Sequence, residues 1–236
     1  MDFYKKDYTI QSSDVDMFRK LRVSKLFEFM QEAAIHHTEQ LGAGRAKTLD
    51  RGFLWVVTMQ HAEIVRLPEY DEKVTLTSWP GVTMHVMFPR YYELTAQNGE
   101  TLARGSAVWM LMDMVERDMI FPDEEGIEIS GVVTGKEYPL PRPLKPLDTQ
   151  KTIEFKVPFS YSDINGHLTN TKYFDMAEDF TSLSSANRTP KYAFAEYSGE
   201  ARFGEVVDIA LLETNDLVYL AGTKEGKKVF KVKLEY

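Results

Sequence analysis

One order of elements occurs twice along the 236-residue chain, and that duplication restricts the possible folds more than any single motif. Residues 3–10 read as a short strand, 11–16 as a polar connection and 24–41 as a helix. In the helix, Leu26, Phe29, Met30 and Ala33 fall at i, i+3, i+4 and i+7, one apolar stripe. Gly42 and Gly44 stop it. Strand-rich runs follow at 53–58, 61–66 and 74–79, the last closed by Pro80 and Gly81. Runs at 86–95 and 101–113 flank Asn98-Gly99, a pair that predicts a type I′ hairpin with both central residues at positive φ. Four prolines among residues 138–149 exclude a central strand or helix there and predict a stiff, extended linker. The first unit is therefore 1–137 and the second 150–236. The second unit repeats the plan. A strand at 151–159 precedes a helix over 171–185 with the stripe Tyr173, Met176, Ala177 and Phe180, and strands follow at 192–203, 206–213, 217–221 and 228–235.

The halves also match residue by residue. Ser13, Asp14, Val15 and Asp16 lie on Ser162, Asp163, Ile164 and Asn165. With two extra residues in the first copy, Lys25 to Phe29 lie on Lys172 to Met176, and further on Glu72 lies on Glu205. A sheet with one apolar face must cover it, and one long helix laid across that face does so. The expected fold class is α+β: two tandem units, each an antiparallel sheet wrapped around a long helix, joined edge to edge as a pseudo-dimer within one chain.

Composition excludes several classes. Hydrophobic residues make up 43% and charged residues 27%. No apolar run approaches the roughly 20 residues that span a bilayer. The first seven residues hold no apolar signal-peptide core, so cytoplasmic localisation is expected. The absence of cysteine removes disulfides, thiolate metal sites and any thiol nucleophile. The five histidines, at 36, 37, 61, 85 and 167, show no paired ligand spacing, so neither a metal nor another cofactor is expected. A net charge of −8 argues against nucleic acid as a partner.

The densest chemistry lies just before the second helix. Asp163, Asn165 and His167 stand at alternate positions, with Gly166 between the last two. On an extended backbone such residues share one face. A carboxylate, an amide and an imidazole gathered where helix N–H groups point outward suit acyl hydrolysis. Singly, each has a plain reading as a turn former or a structural histidine. Their order, and the partial copy in the first half, favour a functional reading.

These residues carry a resemblance. Asp163-Ile164-Asn165-Gly166-His167-Leu168-Thr169-Asn170-Thr171-Lys172-Tyr173 is similar to the D-x-N-x-H-x-x-N-x-K-Y signature of the acyl-acyl-carrier-protein thioesterases. Glu196-Tyr197-Ser198-Gly199-Glu200-Ala201 is similar to their E-Y-x-x-E-C motif. Thr77-Ser78-Trp79 and Val108 to Asp113 also resemble landmarks of that family. The resemblance covers nearly the whole chain and implies two fused hotdog domains. It further implies hydrolysis of fatty acyl thioesters on the phosphopantetheine arm of acyl carrier protein, a step that ends fatty acid synthesis. The family's catalytic residues carry over as Asp163, Asn165, His167 and Glu200. Where plant members often have cysteine this chain has Ala201, so the chemistry must run through activated water or a carboxylate. Glu200, aided by His167, is expected to activate water, with Asn165 positioning and backbone N–H groups of residues 166–170 stabilising the oxyanion. Asp163 holds His167 in one tautomer or acts more directly. The places of Asn165, His167 and Glu200 in the first half hold Asp16, the Phe18 to Lys20 segment and Leu67, so one half reads as catalytic and the other as freed to hold the acyl chain.

Other features have two readings. Methionines at 30, 59, 84, 87, 110 and 112 fit a pliant acyl tunnel or an ordinary core. His36 and His37 read as a solvated face or a partner of the helix C-terminus. Arg19, Lys20, Arg22 and Lys25, or else Lys224, Lys227, Lys228, Lys231 and Lys233, suit docking of an acidic carrier, while lysines on edge strands also guard against sheet pairing. A homodimer is a further expectation. Rival activities are acyl-CoA hydrolysis, hotdog dehydration, and acyl binding without catalysis.

Overall fold

Ten antiparallel strands form one continuous sheet over residues 2–236, which the computed structural model describes. In chain order the elements are β1 (Tyr4–Thr9), α1 (Val23–Gln40), β2 (Phe53–Ile64), β3 (Lys73–Pro80), β4 (Phe88–Ala96), β5 (Thr101–Asp113), β6 (Lys151–Lys156), α2 (Lys172–Asp179), β7 (Tyr192–Tyr197), β8 (Val206–Glu213), β9 (Leu217–Lys224) and β10 (Lys227–Glu235). The strand order is β1-β3-β4-β5-β2-β7-β10-β9-β8-β6, so each half contributes five strands. The halves join where β2 pairs with β7, from Met59 opposite Glu196 to Glu63 opposite Tyr192. Both helices lie against one face of the sheet and meet at its centre. Phe27 of α1 stacks on Phe174 of α2 with ring centroids 4.1 Å apart. Such a pair adds about 1 kcal/mol beyond the area it buries. The apolar stripes read from the sequence are the packed faces: Leu26, Phe29, Met30 and Ala33 on α1, and Tyr173, Met176 and Ala177 on α2, are all buried. This is the expected tandem of sheet-wrapped helices.

Several local expectations are corrected. β2 is one strand rather than two. Its ladder with β5 skips Thr58, whose hydroxyl instead donates to the Val108 carbonyl, so a bulge takes up the extra residue. The Asn98-Gly99 hairpin is not type I′. Only Gly99 has positive φ, and its N–H donates to the Ala96 carbonyl, giving a type I turn followed by a left-handed glycine. α2 stops at Asp179, not near 185, because Glu213 takes the N–H and hydroxyl of Ser182, and serines are weak helix formers. β7 ends at Tyr197 rather than running to 203. His37 is fully buried, not solvated. Its Nδ1 lies 3.1 Å from Arg90 Nη1, and since a guanidinium only donates, Nδ1 accepts. The terminal lysines are not on an edge, because β10 lies between β7 and β9.

The repeat is real, but its register differs from the one read from the sequence. The N–H groups of Phe18 and Lys20 donate to Asp16 Oδ1 at 2.8 and 3.0 Å, and those of Asn165 and His167 donate to Asp163 Oδ1 at the same two distances. Lys25 pairs with Glu28 as Lys172 pairs with Asp175. Ile10 N–H donates to the Glu72 carbonyl as Val157 N–H donates to that of Glu205. Asp16 therefore matches Asp163, Phe18 matches Asn165 and Lys20 matches His167. No insertion separates loop from helix. The two adjacent Asp-x-Asp positions made the alternative register look equally good in sequence.

Between the halves the chain crosses the sheet face opposite the helices without regular structure. Ser106 Oγ donates to the Pro139 carbonyl. The Leu144 N–H and carbonyl bind Glu196 Oε2 and Lys231 Nζ, both at 2.7 Å. Glu196 and Lys231 also pair with each other at 3.0 Å, largely out of solvent. The predicted spacer is thus a strap pinned across the junction of the halves.

Candidate active site

The loop before α2 is built by Asp163. Its side chain accepts the N–H groups of residues 165 and 167, its own N–H donates to the His167 carbonyl at 2.8 Å, and its carbonyl accepts the N–H of Gly166, whose φ of +75° favours glycine. The segment is therefore a tight turn, not the extended run the alternation suggested, and Ile164 at its tip is 98% exposed. Asp163 grips the backbone of His167, not its ring. The loop is fastened to residues 199–205: Leu168 N–H donates to the Ala201 carbonyl at 2.7 Å, and Phe203 N–H donates to that of Gly166.

Glu200 arrives from the other side of this seam. After Tyr197 the N–H groups of Ser198 and Gly199 both donate to the Val229 carbonyl, a bulge that turns the chain out of the sheet. Glycine is required there, since a Cβ at 199 would lie 2.8 Å from the Lys228 carbonyl oxygen. The turn brings Glu200 Oε2 to 3.3 Å from His167 Nε2, within ion-pair distance though not aligned as a hydrogen bond. Arg117, from the turn after β5 in the first half, pairs with the other carboxylate oxygen. Burial, with Arg202 and Arg117 close by, outweighs the Asp163 and Glu205 carboxylates and holds the His167 imidazole below its ordinary pKa. The shift favours the neutral ring. Ala201, at 1% exposure, is sealed in the core.

Asp163, Asn165, His167 and Glu200 all line one cleft of about 1190 Å³ between α1, the sheet and the loop. Asn165 is exposed on the loop. The cleft lining includes the apolar Ile35, Leu54, Val57, Phe88 and Trp109, together with Thr38 of α1 and Arg90 of β4. The Arg90 guanidinium donates to Ser78 and Thr38 as well as His37. Of the N–H groups expected to form the oxyanion site, those of residues 166, 167, 168 and 169 are spent inside the fold. Those of Asn170 and Thr171, which also line the cleft, have no acceptor among the described residues. Tyr197, receiving the Gln60 amide at 2.5 Å, donates to the Asn170 carbonyl and fixes this helix entrance. No cluster of metal-ligating side chains occurs among the described residues. Arg117 was not legible in the sequence: it reaches the site only because the halves share a sheet, and no local pattern marks it.

The chain is similar to known proteins in sequence and in fold. Residues 1–127 match the family described as acyl-ACP thioesterase N-terminal domain, and residues 144–235 match acyl-ACP thioesterase C-terminal domain. An acyl-[acyl-carrier-protein] hydrolase of Cuphea viscosissima is 25% identical over 184 residues, covering 72% of this chain and 45% of the relative. The chain thus spans about half the length of the curated relatives it matches. In fold, an acyl-ACP thioesterase from Bacteroides thetaiotaomicron superposes with a TM-score of 0.84, covering 99% of this chain and 97% of that one at 18% identity. The 12:0-ACP thioesterase from Umbellularia californica gives the same TM-score at 21% identity, covering 99% and 96%.

Proposed function

The chain belongs to the acyl-ACP thioesterase family, and from that premise we propose that it hydrolyses fatty acyl thioesters of acyl carrier protein, releasing free fatty acid and ending chain growth. The observation that carries this reading is the His167–Glu200 pair at the mouth of a large, mostly apolar cleft. A thioester is already an active acyl donor, so water activation and charge stabilisation suffice. A water held between His167 Nε2 and Glu200 Oε2 adds its oxygen to the carbonyl carbon and passes a proton to the carboxylate. The Asn165 amide and the N–H groups of Asn170 and Thr171 are the donors for the resulting oxyanion. The carbon–sulfur bond then breaks, and the phosphopantetheine thiolate leaves and takes up that proton through the Glu200–His167 pair. No cysteine of the chain acts as nucleophile, because it has none.

The carrier, itself acidic, needs a basic patch on this acidic chain. Lys224, Lys231 and Lys233 are engaged with Glu205, Glu196 and Glu235, and Lys25 with Glu28, which removes them from consideration. Lys227 and Lys228 are exposed and line the cleft mouth beside Arg202, so we place docking there. The test is to offer a series of acyl-ACPs and the matching acyl-CoAs and to identify the acids released. Release from the carrier-bound series supports the reading. Turnover of the CoA series alone would assign a different carrier, and bound lipid without any turnover would leave only an acyl-binding role.

A further inference from the structure

A water that attacks a carbonyl has two hydrogens, and the His167–Glu200 pair accounts for one. Three buried side-chain polar atoms on the cleft wall have no partner among the described residues: His167 Nε2, Trp109 Nε1 and Gln31 Oε1. Trp109 is a donor beside the Tyr92 hydroxyl. Gln31 is the unexplained one. A buried amide oxygen left without a donor is disfavoured, so a stable fold retains one chiefly where a ligand completes it.

The repeat shows where this amide stands. α1 and α2 correspond through the Lys25–Glu28 and Lys172–Asp175 pairs, so Gln31 occupies the place that Glu178 holds on α2. Glu178 lies beside Asp16 and Arg22, in the loop that matches 163–169. The two-fold relation puts Gln31 on the side of α1 turned toward the 163–169 loop, and Gln31, Asp163, His167 and Thr169 all line the one cleft. In the first-half copy, Lys20 replaces the histidine and Leu67 replaces the glutamate. The helix position there holds a carboxyl group rather than an amide.

We infer that Gln31 completes the hydrolytic site from the opposite half: its amide oxygen accepts the second hydrogen of the attacking water and aims the oxygen lone pair at the thioester carbonyl. The inference rests on the hydrolysis proposed above. It makes the site a joint product of both halves, with α1 contributing chemistry as well as an acyl wall.

The experiment measures kcat, KM and Tm on one acyl-ACP for wild type, Gln31→Leu and Gln31→Glu. Gln31→Leu removes the acceptor and is expected to lower kcat about tenfold or more, with KM little changed. Its Tm should hold or rise, because a buried unpaired amide is replaced by an apolar group. Gln31→Glu keeps an acceptor oxygen and should recover part of kcat, with an ionisation in the pH profile that wild type lacks. Wild-type kcat in Gln31→Leu overturns the inference, as does a kcat loss that tracks a fall in Tm and is not recovered by Gln31→Glu. A wild-type protein that cleaves no thioester overturns the hydrolysis reading instead.

Discussion

Asp163 and Asp16 accept the same two backbone hydrogen bonds, yet only one of them stands beside a histidine. The pairing separates fold from chemistry at a single residue type. Replacing either by alanine should cost about 1 kcal/mol, the worth of a loop-capping carboxylate. Only Asp163→Ala should also depress turnover, and urea denaturation read beside steady-state kinetics tests both halves of the statement. The His167 imidazole carries a second prediction. Its pKa lies below the ordinary value of 6.5, with burial the largest cause and Arg117 one of the opposing cations. In the proposed mechanism the neutral ring is the working form, so activity should persist below pH 6.5 before the acid limb sets in. Arg117→Met removes one lowering influence and should move that limb upward. A limb unmoved, or moved down, would show that Arg117 does not act on the ring.

At the scale of elements, α2 carries a group the chemistry does not use. Burial, reinforced by Asp175 and Asp16, pushes the Glu178 carboxyl up to about 8. A folded-state pKa above the unfolded value means that the native state binds the extra proton. The cost of burying the charge therefore appears as pH climbs from about 4.5 to about 8 and then levels off. Glu178→Gln should match wild type near the lower end of that window and exceed it in stability above the upper end, which thermal denaturation across pH would show. The bulge after β7 is the other telling element. Gly199→Ala places a methyl against the Lys228 carbonyl and should displace Glu200, lowering kcat while leaving most of the sheet intact. Helix stripes, most strand positions and the loop motif were legible because periodicity and turn chemistry are local. Bulges at Thr58 and Gly199, the early end of α2 and the burial of His37 were not, because each is decided by a partner distant in the chain.

For the whole molecule, the duplication seen in the sequence is also the mechanism of assembly: two sheet-wrapped helices share one core, and the cleft forms where they meet. The register of that repeat was misread by two residues, since two nearby aspartates offered equal matches until hydrogen bonds distinguished them. Contributions that cross from one half to the other, such as Arg117 on Glu200, left no sequence signal at all. The strap over the opposite face ties the halves through the shielded Glu196–Lys231 pair. Lys231→Met leaves Glu196 without its counter-ion and should cost on the order of 3 kcal/mol, read by urea unfolding. The central claim is that the imidazole of one loop and the carboxylate of another act on one water. Its most direct test is kcat/KM for free acid released from an acyl-ACP by wild type, His167→Ala and Glu200→Gln, with folding checked by circular dichroism. The account predicts folded variants slower by about a hundredfold or more, and hydrolysis near the wild-type rate by both would contradict it.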